Sequence, residues 1–287
     1  MSITDVTTVN YNGNDVVPHY LFHYTSIQSL ALILKNRTIR FNSLDKVDDL
    51  QEKKAADIEN VGRYKYVSSW TDDSLESIPM WNMYASLQSG VRIKLPIYPF
   101  KKHTNGIEEV SKAINMRIDP NSAESITTYI PLSEMISGKW SSPQAFGGPR
   151  LIHVEYTNDP SKLTPKIVSK QGNSASIQFG MIGQYKNVHW GFQSEWRYIL
   201  DILPLNLFDD PAKAEVQMQL LMTKLLVGKP SPGISHYDMV IDDDAFTSME
   251  ITMSPKLSAG NRIILQLLVE KYNPAATTLE STLAGLI

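Results

Sequence analysis

The 287-residue chain contains no cysteine. That excludes a disulfide framework, a thiolate metal site and a cysteine nucleophile. Long apolar runs are missing too, and the densest, Leu30 to Leu34, is far too short to cross a bilayer. Charge of one sign is not in excess. The formal net charge of -3 argues against a surface that grips nucleic acid all over, while leaving room for a local basic groove. The six histidines are scattered, without H-E-x-x-H spacing, and neither G-x-G-x-x-G nor a P-loop occurs, so no metal is expected. Met1 to Asp15 is polar and carries Asp5 and Asp15. It lacks the basic-then-apolar order of a signal peptide. These absences lead to the expectation of a cytoplasmic protein, in a bacterial cytoplasm for instance, with no membrane partner. What is present is ordinary: 42% hydrophobic and 20% charged residues, a globular rather than a disordered composition, long enough for one large domain or two small ones.

No internal repeat or low-complexity stretch interrupts the chain. Residues 1–18 read as a polar arm ending at Pro18, residues 19–272 as one domain with an insertion around 96–149, and residues 273–287 as a fraying tail. His19 to Tyr24 reads as a short buried strand. Thr25, three residues before Gln28, has the spacing of a capping box, and Ile27, Leu30, Ile33 and Leu34 then recur at helical period up to Asn36, which suits a left-handed end. Thr38 to Phe41 alternates as a strand. Residues 44–60 are acidic and helix-prone. Lys65 to Trp70 is a strand, Ile78 to Leu87 an aromatic-rich helix, and Val91, Ile93 and Leu95 mark another strand. Helical pieces are expected at Glu108 to Asn115 and Leu132 to Ile136, a strand at Leu151 to Tyr156, and a helix or an insertion at Gln171 to Tyr185. Trp196 to Leu200 is a strand opening just after Glu195. Val216 to Lys224 reads as a helix, Leu225 to Val227 as a short strand, and Gly260 to Tyr272 as a helix with Ile263, Ile264, Leu267 and Leu268 on its buried face. Short strands mixed irregularly with helices predict an α+β fold.

Three segments carry chemistry. Leu21-Phe22-His23-Tyr24-Thr25-Ser26 delivers a histidine and two hydroxyls to a helix start, where backbone donors are free. The plainer alternative is a buried histidine and a cap. Phe192-Gln193-Ser194-Glu195-Trp196-Arg197 sets a carboxylate at the start of an apolar strand, with an amide two residues earlier. Residues two apart on a strand share a face, so Gln193 and Glu195 are expected to aim into one cleft. The alternative is a surface carboxylate paired with Arg197. The third is Ser68-Ser69-Trp70 followed by Met80-Trp81-Asn82-Met83-Tyr84-Ala85 and Gly90-Val91. Trp81 and Tyr84, three apart, would share a helix face and offer stacking surface to a planar ring, or else form an aromatic core helix.

In this order the segments resemble ADP-ribosyltransferase-like proteins, including the DNA-modifying toxins of the DarT type and the tRNA phosphotransferases of the KptA type. There an H-G-T or H-x-T element ends the first strand and binds NAD, and a Q/E-x-E element marks the catalytic strand. The block from Ser69-Trp70 through Met80-Trp81-Asn82-Met83-Tyr84-Ala85 to Gly90-Val91 is similar to the bacterial domain-of-unknown-function family two-nine-seven-one, whose members pair an H-Y-T start with a late E-x-E-x-R. Glu195-Trp196-Arg197 matches the end of that pattern, and Gln193 departs from it. The resemblance covers roughly residues 20–272. It implies a split mixed β-sheet core flanked by helices.

The resemblance further implies an enzyme that takes NAD as substrate, without a metal, and transfers ADP-ribose to a macromolecule, nucleic acid or protein, in a toxin or phage-defence setting with a possible antitoxin partner. Glu195 would face the cationic ribose in an oxocarbenium-like transition state. His23 would orient the adenosine-side ribose, Tyr24 would offer backbone groups to the nicotinamide, and Gln193 would hold the acceptor. Thr25, Ser69, Trp81 and Tyr84 complete the expected NAD site. Whether Ser68, Ser69, Trp81 or Tyr84 takes the second catalytic position stays open. Tyr24 stands where many transferases have glycine, which would narrow the nicotinamide pocket. Other readings are an NAD glycohydrolase, a catalytically inactive NAD-binding module, and a metal-dependent nuclease built on Asp48, Asp49 and Glu52 or on Asp242 to Asp244. Those acidic groups read more readily as a solvated helix face and a turn.

Overall fold

A computed structural model describes residues 17–113, 125–171, 174–206, 213–226 and 231–287. Most of the polar arm, the end of the helix expected at Glu108 to Asn115, and Val227 lie outside the described residues. The fold is mixed, with helices packed around a large sheet whose strands are β1 (Tyr20–Ser26), β2 (Thr38–Ser43), β3 (Lys65–Thr71), β4 (Gly90–Pro96), β5 (Arg150–His153), β6 (Glu195–Asp201), β7 (His236–Val240), β8 (Glu250–Met253) and β9 (Thr277–Leu279). The α+β expectation holds at this level. All pairings in the sheet are antiparallel except β8 with β9.

The feature that makes the site is the two edges of β3. One edge is fully paired with β6, from Glu195 opposite Thr71 to Asp201 opposite Lys65. The other edge is shared. It meets β2 at Val67 and Tyr66, and it meets β1 only where Phe22 lies opposite Thr71. Between those points β1 and β2 part, and β1 runs instead along the whole of β4. Ser68 to Trp70 therefore face a gap in the ladder.

Alternation along β3 and β6 divides the chemistry between two faces. Tyr66, Trp70, Trp196, Tyr198 and Leu200 point into the main core. Val67 and Ile199 point to the other face, into a smaller core roofed by Leu44, Ile58, Val61 and Tyr64. Glu195, Arg197, Ile199 and Asp201 share that second face by their spacing. At its far end Lys65, fully buried, pairs with Asp201.

Several local expectations need correction. The first helix (Ile27–Asn36) is capped by Ser26, which accepts from the Ser29 amide, and Arg37 rather than Asn36 takes the left-handed conformation. Residues 44–60 are not a helix but a 3-10 turn (Leu44–Lys46) and a loop. The loop is held down by burial of Leu44, Asp49, Glu52 and Ile58. Ile78 to Leu87 begins as one helical turn and ends in a π turn (Trp81–Ala85). In and beside Gln171 to Tyr185, read as a helix or an insertion, Val168–Gln171 and Ser174–Ile177 pair as antiparallel strands. Leu225, expected in a strand, is buried inside the helix Ala214–Leu226.

The helix Ala259–Tyr272 buries Leu265 and Val269, one i, i+4 row. Of the four residues the periodicity favoured, Leu268 packs partly buried against the core, while Ile263, Ile264 and Leu267 are exposed. Within the stretch 96–149, Val110, Ile130, Leu132, Met135 and Ala145 lie in the main core. The tail, expected to fray from Asn273, is held. β9 extends the sheet, and Glu76 accepts hydrogen bonds from Ser281, from the Thr282 amide and hydroxyl, and from the Trp81 indole. Among the described residues no helix is long and apolar enough to cross a membrane.

Candidate functional site

At the gap between β1 and β3, His23 takes the place of the missing ladder. Its Nδ1 lies 2.8 Å from the Ser69 carbonyl oxygen, which can only accept, so Nδ1 carries the proton and Nε2 keeps a lone pair. The ring sits 5.0 Å from Trp70. Burial pushes the imidazole's pKa below its ordinary value and keeps it neutral, against the opposing effect of the Ser69 bond.

A cleft of about 190 Å³ opens here, walled by His23 and Ser69 on one side and by Gln193, Glu195 and Arg197 on the other. An adjoining cavity of about 340 Å³ runs under the first helix and shares His23, Tyr24, Lys46, Ser69 and Tyr84 with it. Together they reach the size usual for ligand sites, roughly 300–1,000 Å³.

The floor of the cleft is a ring of four buried charges. Arg197 binds Glu195 Oε1 at 2.8 and 2.7 Å through Nε and Nη2, and Glu52 at 2.5 Å through Nη1. Lys186, from the short strand Tyr185–Asn187, lies 2.6 Å from Glu195 Oε2 and 3.2 Å from Glu52 Oε1, which closes the ring. Arg197 Nη1 also donates to the Gly183 carbonyl at 2.9 Å. Two cations against two anions leave the ring neutral, which is how four charges persist out of water.

The two carboxylates differ. Burial works against the charge of Glu195, but Arg197, Lys186 and the Ser69 hydroxyl outweigh it and hold the carboxyl at about 2. For Glu52 burial wins over Arg197 and Lys186, helped by repulsion from Glu195, and its pKa lies above the ordinary value. Glu195 has both oxygens engaged. Glu52 is likewise held at both oxygens, Oε2 by Arg197 and the buried Oε1 by the Lys186 ammonium at 3.2 Å.

Of the residues expected from sequence, His23, Tyr24, Ser69, Tyr84, Gln193 and Glu195 line the cleft. Thr25 lines only the adjoining cavity. Trp81 is at neither: it is fully buried behind Tyr24, edge-on at 4.9 Å, and part of a small separate core. Tyr84 packs against the same small core as Trp81, but its hydroxyl end reaches the cleft, at Gln193.

Gln193 reaches the cleft for a different reason from the one expected. It ends a 3-10 turn (Val188–Gln193), and Ser194 is left-handed, with φ 41°, so no strand alternation relates Gln193 to Glu195. Lys186 relates them, at 2.8 Å from Gln193 Oε1, while Gln193 Nε2 donates to the Tyr84 hydroxyl at 2.5 Å. Glu195 is indeed paired with Arg197, but inside the protein rather than on its surface.

Sequence reasoning missed Lys186 and misplaced Glu52. Glu52 reads as one of a run of solvated acids, and only the closing of the loop over β6 buries it. Lys186 carries no motif. Asp242, read as part of a turn, caps the short helix Asp243–Thr247. Among the described residues no group of three or more histidines and carboxylates has metal-site geometry. In comparisons with family models, curated proteins and solved structures, the chain matches none.

Proposed function

We propose that the chain is an NAD-dependent ADP-ribosyltransferase of macromolecules, built on an ADP-ribosyltransferase-like split sheet. The observation that carries this reading is that His23 and Glu195, far apart in sequence, line one cleft where β1 and β3 part, with Ser69 touching both. Ser69 thereby becomes the residue for the second catalytic position, in preference to Ser68, Trp81 and Tyr84.

The chain's residues suit the substrate. His23 Nε2 accepts from a ribose hydroxyl. The Glu195 carboxylate, ionised throughout the physiological range, faces developing positive charge. Tyr24 and Tyr84 supply aromatic walls shared by the cleft and the cavity. NAD supplies the ribose carbon and a leaving group that departs neutral.

A second reading rests on the saturation of Glu195. A carboxylate bound at both oxygens by Arg197 and Lys186 must release a partner before it can grip a ribose hydroxyl, and a module that binds NAD without turning it over needs no such release. Incubation with labelled NAD and separate pools of DNA, RNA and protein tests both. Label on one pool, with nicotinamide released, supports the transferase. NAD binding with no nicotinamide release selects the binding module, and no binding at all refutes both.

A further inference from the structure

We infer that Lys186 is a displaceable counter-ion that keeps the place of the substrate's cationic nicotinamide ribose beside Glu195, and that the substrate must drive it out to free Glu195 Oε2; this deepens, and rests on, the transferase reading above.

Geometry separates the partner of Glu195 that can leave from the one that cannot. Arg197 is fixed. It sits two residues on along the same strand, binds Oε1 through Nε and Nη2, and is held from its other side by Glu52 and the Gly183 carbonyl, with 1% of its side chain exposed. Lys186 differs on each count. It belongs to Tyr185–Asn187, a strand paired with Glu155–Thr157 outside the main sheet. It meets Glu195 through a single nitrogen, which it shares with Glu52 and Gln193. It is the most exposed member of the ring, it lines the cleft, and its ammonium lies 5.4 Å from the ring of Trp190, another lining residue. A lysine is also a flexible point charge, where an arginine is a rigid fork.

Charge decides what can replace it. Without the ammonium, Glu52, Glu195 and Arg197 carry a net negative charge, which is costly to leave unanswered out of water. A neutral ligand does not answer it. The nicotinamide ribose of NAD does, because it is a cation, and its planar ring suits the aromatic face beside which the ammonium lies. Substrate and lysine are therefore alternatives at one carboxylate. The displaced ammonium stays at a wall that also carries Asp48 and Asp49.

The exchange has a direction. When the bond between ribose carbon and ring nitrogen breaks, its electron pair stays on nitrogen and nicotinamide leaves neutral. The acceptor's nucleophile bonds to the ribose carbon and its proton goes to solvent. Neutral nicotinamide no longer competes, and Lys186, protonated throughout, returns to Glu195. The same exchange discriminates against the reduced dinucleotide, whose dihydronicotinamide ring carries no charge.

The test uses the full chain and two small probes of one shape: ring-N-methylnicotinamide, a cation, and meta-methylbenzamide, its neutral isostere. Affinity is read by calorimetry. Lys186→Met and Lys186→Gln are expected to bind the cation about tenfold tighter or more, because sites closed by the lysine no longer discount its affinity. Binding of the neutral isostere should change at most a few-fold. Lys46→Met removes a charge from the same cleft, one that holds the Ser235 carbonyl, and should also change cation binding at most a few-fold. The wild-type chain gives a second readout that needs no variant to fold. The ammonium nitrogen NMR signal of Lys186, assigned by its nearness to the Trp190 ring, should move to the solvent-exposed range with the cation and stay in place with the isostere. Cation affinity unchanged or weaker in the lysine variants, or a Lys186 signal indifferent to the cation, overturns the proposal. The two readings fail separately. A wild-type chain that turns over NAD while its variants bind the cation no tighter overturns the role of Lys186 and leaves the transferase standing. A wild-type chain inert to NAD whose variants still gain cation affinity overturns the transferase and leaves a lysine-gated cation site.

Discussion

Lys186 and Glu195 meet at 2.6 Å with neither side chain more than 8% exposed, and the same ammonium reaches Gln193 Oε1 at 2.8 Å. One cation thus organises the cleft's amide and its ionised carboxylate together. Its ring partner Arg197 is held from behind by the Gly183 carbonyl, whereas Lys186 is a point charge near the Trp190 ring, at 5.4 Å. Lys186→Met keeps the aliphatic stem and removes the charge. The ring then carries an uncompensated anion, and breaking a buried pair in this way costs about 3–5 kcal/mol. Urea unfolding of the variant should show that loss, and the Glu195 carboxyl should titrate well above about 2. Unchanged stability would mean that water already reaches the ring.

Acid stability separates the two carboxyls. Glu195 is depressed from 4.5 to about 2, so its stabilisation is complete above 4.5 and is lost as pH falls from there toward 2. Glu52 is raised, so its ionisation opposes folding; that opposition is relieved as pH falls through its raised value toward 4.5. The wild-type melting temperature should therefore hold nearly level on mild acidification and drop steeply below about pH 4.5. Glu195→Gln should start lower and lose the steep part. A variant that tracks the wild-type slope from pH 5 to pH 2 would contradict the assigned direction.

How much of this was legible in the sequence depends on what each residue needs. His23 sits mid-strand in β1 and Glu195 at a strand start, both set by local pattern, and both reach the cleft. Trp81 failed because it is fully buried in a small core behind Tyr24, the aromatic-core alternative that its spacing allowed equally well. Gln193 reached the right place for the wrong reason, since Ser194 breaks the strand before it begins. Glu52 was out of reach. Its role depends on a loop folding over β6 onto Arg197, and an acidic run looks the same in sequence whether it is solvated or buried. The face of the helix Ala259–Tyr272 was misjudged because aliphatic residues occupy more than one of its sides, and periodicity alone does not say which row meets the sheet.

Gly183 is required by its backbone and its neighbours together. Its φ is 79°, and an added Cβ would stand 3.0 Å from Leu44 Cδ1 and 3.5 Å from Arg197 Nη1, while its carbonyl accepts from the same guanidinium. Gly183→Ala combines left-handed strain with a displaced Arg197, at about 1–3 kcal/mol. The melting temperature should fall by several degrees. Gly191, where an added Cβ meets nothing within 4 Å, is the control and should tolerate alanine.

Gln193 has a sharper test now that its partners are known. Both ends of its amide are engaged inside the protein, Oε1 by Lys186 and Nε2 by Tyr84. Were it held ready for the acceptor, Gln193→Ala would abolish transfer and spare slow hydrolysis of NAD. With both ends committed, the variant instead frees Lys186 from one of its acceptors and leaves the Tyr84 hydroxyl without its donor. The change then reaches Glu195 through Lys186 and falls on bond cleavage itself. A hydrogen bond to a charged group contributes about 1.5–3 kcal/mol, so nicotinamide release should drop roughly tenfold to a hundredfold. Acceptor labelling should drop in the same proportion. Tyr84→Phe should reproduce a smaller part of the loss, because it removes a neutral bond and leaves Lys186 in place. Following nicotinamide release and acceptor labelling side by side decides the matter: loss of labelling with hydrolysis preserved would return Gln193 to the acceptor and sink its assignment as a support for Lys186.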